Sequence, residues 1–261
     1  MKEIILTPKE LPDVGLIAET ITPDLFAGKS IGKIASLLIF AGNQRKKLGD
    51  FFEVAGKSAD DASDTRIVIK GDITKVKMVG KGTKAGEIVI EGSAGMYVGE
   101  EMRGGKITVL GNVDSFAGQT MRGGELVIKG NAGDYLGAAY RGDWRGMRGG
   151  VILVEGNAGA ETGLFMVGGK IKIKGNCGTF AGVHMKKGLI IIEGQTPERA
   201  GAEMTGGSIV VMGDTDILPT FAPVNEEKNP EIDGEKLKGT FQTYSGDHAE
   251  RGAKGMLYKF V

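Results

Sequence analysis

Between residues 63 and 213 the chain alternates apolar and polar positions in short bursts that recur at a fixed interval. Each burst holds two apolar residues separated by one position. The first column reads Ile67, Ile88, Ile107, Leu126, Ile152, Ile171, Ile190 and Ile209; the second reads Ile69, Ile90, Val109, Ile128, Val154, Ile173, Ile192 and Val211. Period-two alternation in β-branched residues predicts a strand in every burst. A methionine precedes the last six of the eight strands, at Met102, Met121, Met147, Met166, Met185 and Met204, so the repeat is 19 residues with one spacing of 26. The extra seven residues are placed at Tyr140–Gly146. Nineteen residues cannot hold a strand and a packed helix, and the rest of each unit is Gly, Asn and small residues that turn the chain. The predicted fold is all-β: a right-handed single-stranded parallel β-helix (β-solenoid) with about 19 residues per coil. A left-handed hexapeptide solenoid is disfavoured because its coil is a multiple of six.

Charge patterning tests the stacking independently. Equal offsets in adjacent coils become neighbours at ~4.8 Å. One column reads Glu91, Leu110, Lys129, Glu155, Lys174, Glu193 and Met212, and another begins Glu87, Lys106, Glu125. Opposite signs alternate, as an in-register parallel ladder favours. Corner glycines follow each strand, for example Gly130, Gly133 and Gly137, and the adjacent Asn112, Asn131, Asn157 and Asn176 are expected to hold left-handed turns and bond along the stack. Outside the repeats, residues 1–62 are expected to form an N-terminal segment with a short helix after Thr22-Pro23-Asp24 and a degenerate first coil at Leu48–Gly56. Residues 214–261 read as an irregular extension that caps the last coil or wraps a partner.

Composition sharpens the picture. Glycine is 45 of 261 residues, far above the usual share of about 7%. Lys+Arg and Asp+Glu are both 33, so there is no general electrostatic footprint for nucleic acid. One cysteine excludes an internal disulfide framework and cysteine-ligated clusters. The apolar stretch at Ile4–Leu6 is too short for a signal peptide, and the longest apolar run, Ile34–Gly42, falls far below the ~20 residues of a membrane span. A soluble, cytoplasmic protein is expected.

Few residues point to chemistry. Gly28-Lys29-Ser30 lacks the upstream glycine of a phosphate-binding loop, Pro23 standing in its place. Cys177 fills a column of small packed residues and the methionines read as core filling. His184 and His248 have no companions at metal-ligand spacing. No catalytic, cofactor-binding or metal-binding residue emerges.

Two surfaces stand out. The position between the core columns, expected to be polar, is apolar at Val89, Val127, Leu153, Ile191 and Val210. This stripe predicts a partner interface, the alternative being cover from the chain's own ends. An arginine column, Arg103, Arg122 and Arg148, with Arg141, Trp144 and Arg145 from the insertion, predicts contact with an acidic partner or anionic ligand, unless Glu100, Glu101 and Asp143 answer it.

The repeat M-x-G-G-x-[IL]-x-[VI]-x-G-N-x-G-x-x-x-G resembles the GXGXG β-helix at the C-terminus of the glutamate synthase large subunit. The six-methionine register, the Tyr140–Gly146 insertion before Met147-Arg148-Gly149-Gly150 and the segment Leu48-Gly49-Asp50-Phe51-Phe52-Glu53-Val54 resemble the C subunits of formylmethanofuran dehydrogenase over essentially the full length. The resemblance implies a complex that reversibly reduces CO2 and fixes it on methanofuran as N-formylmethanofuran, in methanogenesis from CO2. It further implies a molybdenum or tungsten pterin subunit, an amidohydrolase subunit with a dinuclear metal site and iron–sulfur subunits as partners, with this chain a non-catalytic brace carrying none of those cofactors. The C subunit of the bacterial formyltransferase/hydrolase complex is the nearest alternative. A free-standing β-helix enzyme and an anionic-ligand-binding module are the alternatives from other classes.

Overall fold

The computed structural model describes residues 1–261. The chain is almost all β, and its large sheet is mainly parallel. Strands Thr65–Ile69, Glu87–Ile90, Arg103–Val109, Gly123–Ile128, Arg148–Val154, Val167–Ile173, Lys187–Ile192 and Ser208–Val211 pair in sequence order, each parallel to the next. The register is the one the repeat predicts: Ile67, Ile88, Ile107, Leu126, Ile152, Ile171, Ile190 and Ile209 lie side by side. Both apolar columns are fully buried. A second parallel ladder runs through Ile73, Ala94, Val113, Ala132, Ala158 and Cys177, one residue per unit. The Tyr140–Gly146 insertion leaves both ladders in step. The N–H groups of Ala139 and Gly146 at its two ends donate to Leu164 and Phe165 of the following unit, so the extra residues bulge outward.

The Met-x-Gly-Gly motif has a packing cause. Each methionine is fully buried. A Cβ on Gly124, Gly169 or Gly207 would lie 2.7 Å from the Cε of Met102, Met147 or Met185 in the preceding unit, so the second glycine of one repeat roofs the methionine of the last. The corner asparagines depart from expectation in one respect: none takes a positive φ. Their side chains instead link units, Asn131 N–H donating to Asn112 Oδ1, Asn157 to Asn131 and Asn176 to Asn157, each at 2.8 Å. The glycine after each strand is needed for close approach. On Gly130 a Cβ would meet Asn112 Oδ1 at 2.4 Å and Gly111 O at 2.7 Å.

Both ends correct the sequence reading. Leu48–Gly56 is not a degenerate coil. Leu48–Phe51 is a helical turn, and Phe52–Gly56 runs antiparallel to Lys2–Pro8. The first parallel neighbour of the repeats is Lys2–Pro8 itself, with Ile4 beside Ile67 and Leu6 beside Ile69. The same alternation operates there without the glycine signature. The predicted helix is present as Pro23–Phe26, capped by the Thr22 hydroxyl and begun by proline. Phe26, Ile34, Ile39, Leu48 and Phe52 close the N-terminal end of the core. Residues 214–261 are more regular than expected. Gly255–Phe260 adds a final parallel strand, Leu257 beside Ile209, and a Cβ on Gly255 would lie 2.5 Å from Met204 Cε. Thr240–Gly246 and Ala222–Lys228 then follow antiparallel.

Candidate functional site

The outward face of the large sheet carries the predicted stripe between two charged columns. Lys106 and Glu125 lie 3.2 Å apart, Lys129 and Glu155 2.7 Å, and Lys174 reaches Glu155 at 3.4 Å. The two lysines hold Glu155 below the usual carboxylate range, the Lys129 hydrogen bond leading. These pairs are solvent-exposed and fix register more than they stabilise. Along the stripe two positions need correcting. Ile191 and Val210 do not await a partner: with Leu189 they are buried against Ile232 and Phe241 of the chain's own C-terminal segment. Lys170 pairs with Glu235 of the same segment, so the cover reaches the Val167–Ile173 strand. Nothing of this kind overlies the middle of the sheet. Val127 and Val89 are sheltered by neighbouring side chains, Leu153 is half-buried, and Val151 and Leu110 at their flanks are 40% and 48% exposed.

The arginine set divides. Arg148 and Arg145 converge on Asp143, each at 3.5 Å, and the Asp143 carboxylate also accepts from Arg145 N–H at 3.1 Å. Trp144, 56% exposed, has the Arg145 guanidinium 4.9 Å from its ring centre and the Lys186 ammonium at 4.6 Å. Arg103 and Arg122 project into solvent. Of the expected counter-charges only Asp143 takes part; Glu100 is buried and faces Lys81 at 3.4 Å. Arg141 joins none of these pairs and lines a recess with Tyr140, to which Asp143 also contributes.

That recess belongs to a feature the sequence reading missed. Tyr97, Phe116 and Tyr135 stack ring on ring at 5.0 and 4.7 Å, Phe165 and His184 stack at 4.4 Å, and Arg199 lies over Phe180 at 5.3 Å. The signal was present in the 19-residue spacing of three aromatics. Cavities of 300, 230 and 200 Å³ follow these rings along the stack. Glu161, beside Tyr135, pushes its phenol up. The residues set aside as structural are accounted for locally. Burial pushes the Cys177 thiol up to about 11. His184 faces Glu203 at 3.4 Å, and His248 meets Ser245 at 3.1 Å. No helix is long and apolar enough to cross a membrane.

A parallel sheet built from one repeat, with its polar groups engaged between units and its open faces on the flanks, defines a GXGXG-motif protein, and that family's pattern matches residues 65–250. The C subunit of the tungsten-containing formylmethanofuran dehydrogenase 2 of Methanothermobacter thermautotrophicus is 64% identical over 262 residues, covering 100% of this chain and 97% of that protein. The C subunit of the molybdenum-containing formylmethanofuran dehydrogenase 1 of Methanosarcina barkeri is 48% identical over 98 residues, 38% of this chain and 33% of that protein. The chain belongs to the family of formylmethanofuran dehydrogenase C subunits, whose members are parts of an oxidoreductase complex. Among solved structures, a chain of the formyltransferase/hydrolase complex (FhcABCD) from Methylorubrum extorquens in complex with methylofuran superposes with a TM-score of 0.86 at 29% identity, over 98% of this chain and 99% of that one.

Proposed function

We propose that this chain is the non-catalytic structural subunit of a cytoplasmic formylmethanofuran dehydrogenase, the complex that reversibly reduces CO2 and forms N-formylmethanofuran. The carrying observation is the 64% identity across the whole chain. In this reading the 19-residue units wind as a right-handed single-stranded β-helix, a rigid brace to which the catalytic subunits attach. The in-register ladders of the sheet and of Ile73–Cys177 support the winding, since each unit contributes one rung to both. The side chains that would otherwise do chemistry are engaged between units: asparagines bond the next backbone and charges pair across strands. Molybdenum or tungsten pterin, iron–sulfur clusters and the dinuclear metal site then belong to other subunits.

Two surfaces would carry the attachment. The middle of the sheet, where no other segment of the chain lies over Val89, Val127 and Leu153 and where Val151 and Leu110 are exposed, suits an apolar interface, whereas Ile191 and Val210 are already covered. The basic strip of Arg103, Arg122, Arg145, Arg148 and Trp144 suits an acidic partner or anionic ligand, with Asp143 its sole internal counter-charge. The structural match to the bacterial complex favours one second reading, the C subunit of a formyltransferase/hydrolase assembly. Isolation of the tagged chain from its native extract separates the two. Co-purifying subunits that contain tungsten or molybdenum and iron–sulfur clusters are expected. A partner set without redox metals would select the second reading, and recovery of the chain alone would overturn both.

A further inference from the structure

One column of side chains outside the sheet is missing a member. Tyr97, Phe116, Tyr135, Glu161, Phe180 and Arg199 occupy equivalent turn positions in successive units, each with φ between 54 and 65°. The N–H of each of the first five donates to the carbonyl of the residue preceding the next member, which fixes their order. A non-glycine residue in this conformation is held there by its surroundings, so these side chains are set outward in register. Planar groups fill the column at 4.7–5.0 Å through Tyr135, and again where Arg199 covers Phe180 at 5.3 Å. Glu161 interrupts it. Tyr135 and Phe180 are therefore two rungs apart, ~9.6 Å, and a planar group between them would sit ~4.8 Å from each, the spacing the column already uses.

The gap has a charge and an entrance. Glu161 separates two recesses, of 230 and 200 Å³, and it shares Leu164 and Phe165 with both. Its carboxylate enters no ion pair, although Arg141 lines the same recess; Asp143, which lines it too, is occupied by Arg145 and Arg148. The Glu161 carboxylate reaches the Tyr135 hydroxyl and belongs to the rung between the Tyr135 and Phe180 rings. Such a group is complementary to a guanidinium, which stacks on aromatics and pairs with carboxylate in the same plane, as an ammonium does not. Arg199 on Phe180 shows the column accepting that group.

We propose that the gap at Glu161 receives an arginine side chain from a partner subunit, its guanidinium stacked between Tyr135 and Phe180 and its methylenes lying along Leu164 and Phe165. The partner rests on the subunit reading above; the site itself does not. L-argininamide is the probe for the full chain. Titration at low salt is expected to shift the ring-proton resonances of Tyr135 and Phe180, with L-lysinamide at least fivefold weaker and Glu161→Gln at least tenfold weaker. In assembly assays Glu161→Gln is expected to raise the dissociation constant for partner subunits at least tenfold at an unchanged melting temperature. Equal argininamide shifts in Glu161→Gln and wild type would overturn the proposal. So would equal losses of melting temperature in Glu161→Gln and Arg141→Ala with argininamide binding unaltered, which would assign Glu161 to Arg141. Wild-type assembly by Glu161→Gln would overturn the docking while leaving the subunit reading intact. Should wild type recruit no partner, the subunit reading fails, and argininamide binding still decides whether the slot exists.

Discussion

Replacing Gly130 by alanine tests the stacking at a single atom. The added Cβ would stand 2.4 Å from Asn112 Oδ1, 2.7 Å from Gly111 O and 2.8 Å from Gly111 C. Two of those atoms are backbone in the neighbouring unit and cannot swing away. Relieving the clash means separating the units locally or rotating Asn112, which gives up its bond to Asn131 N–H. Overpacking of this kind costs about 1–3 kcal/mol, and the lost hydrogen bond adds about 1 kcal/mol. The expected total of roughly 2–4 kcal/mol lowers the melting temperature by about 4–16 °C, at the 2–4 °C per kcal/mol usual for a chain of this size. Differential scanning calorimetry measures it. Gly32→Ala is the control: it lies in the helical turn Ile31–Ala35 at an ordinary φ, and its Cβ would meet nothing within 4 Å. That substitution should leave the melting temperature unchanged or raise it slightly. If Gly130→Ala melts with Gly32→Ala at the wild-type temperature, the units do not approach as described.

Other parts of the structure give independent tests. Val127→Glu combined with Leu153→Glu should keep the far-ultraviolet β spectrum and block co-purification of partner subunits; normal assembly would remove the middle of the sheet from the interface. For Asp247, burial alone would raise its carboxyl, but hydrogen bonds from Thr220, Glu203 N–H and Ala249 N–H, with the His248 charge, hold it below 3.8. A depressed folded value means stability present above 3.8 and lost as pH falls through the folded value. Asp247→Asn should therefore be less stable than wild type at neutral pH, with the difference narrowing in acid; parallel urea midpoints from pH 5 to 2 would refute this. Cys177, buried and pushed up to about 11, should resist a thiol reagent at pH 8 in the native chain and react fully in denaturant. Stoichiometric native labelling would place it at the surface.

What the sequence disclosed was whatever repeats. Two apolar columns, alternating charges and a methionine register are local patterns copied eight times or nearly so, and parallel pairing forces equal offsets together, so Ile107, Leu126 and Ile152 could be placed side by side from spacing alone. The insertion was legible for the same reason. The ends were not, because their partners are fixed by non-local packing. Ile4 joins Ile67 across most of the N-terminal segment, and nothing near Ile232 or Phe241 announces that they will cover Ile191 and Val210. The arginine set was read as one surface because a single insertion supplies half of it. Only the turn at Tyr140–Gly146 sends Arg141 to the aromatic side and Arg145 with Trp144 to the basic strip. The aromatic column was within reach. Its members sit at turn positions, where an alternating-strand reading does not look for order.

The strands flanking the stack bear on how large an assembly this chain can join. A row of identical parallel units would present, at each terminus, a template for another molecule to continue the same row without limit. Here the parallel order is broken before either edge: Phe52–Gly56 runs against the repeat at one terminus, and at the other Thr240–Gly246 does so, leaving Ala222–Lys228 outermost with Pro223, Glu226 and Lys228 exposed. The row of identical parallel units is thereby interrupted at both termini, and charge and proline on the outermost strand discourage edge pairing, which favours neighbours that approach from the sides.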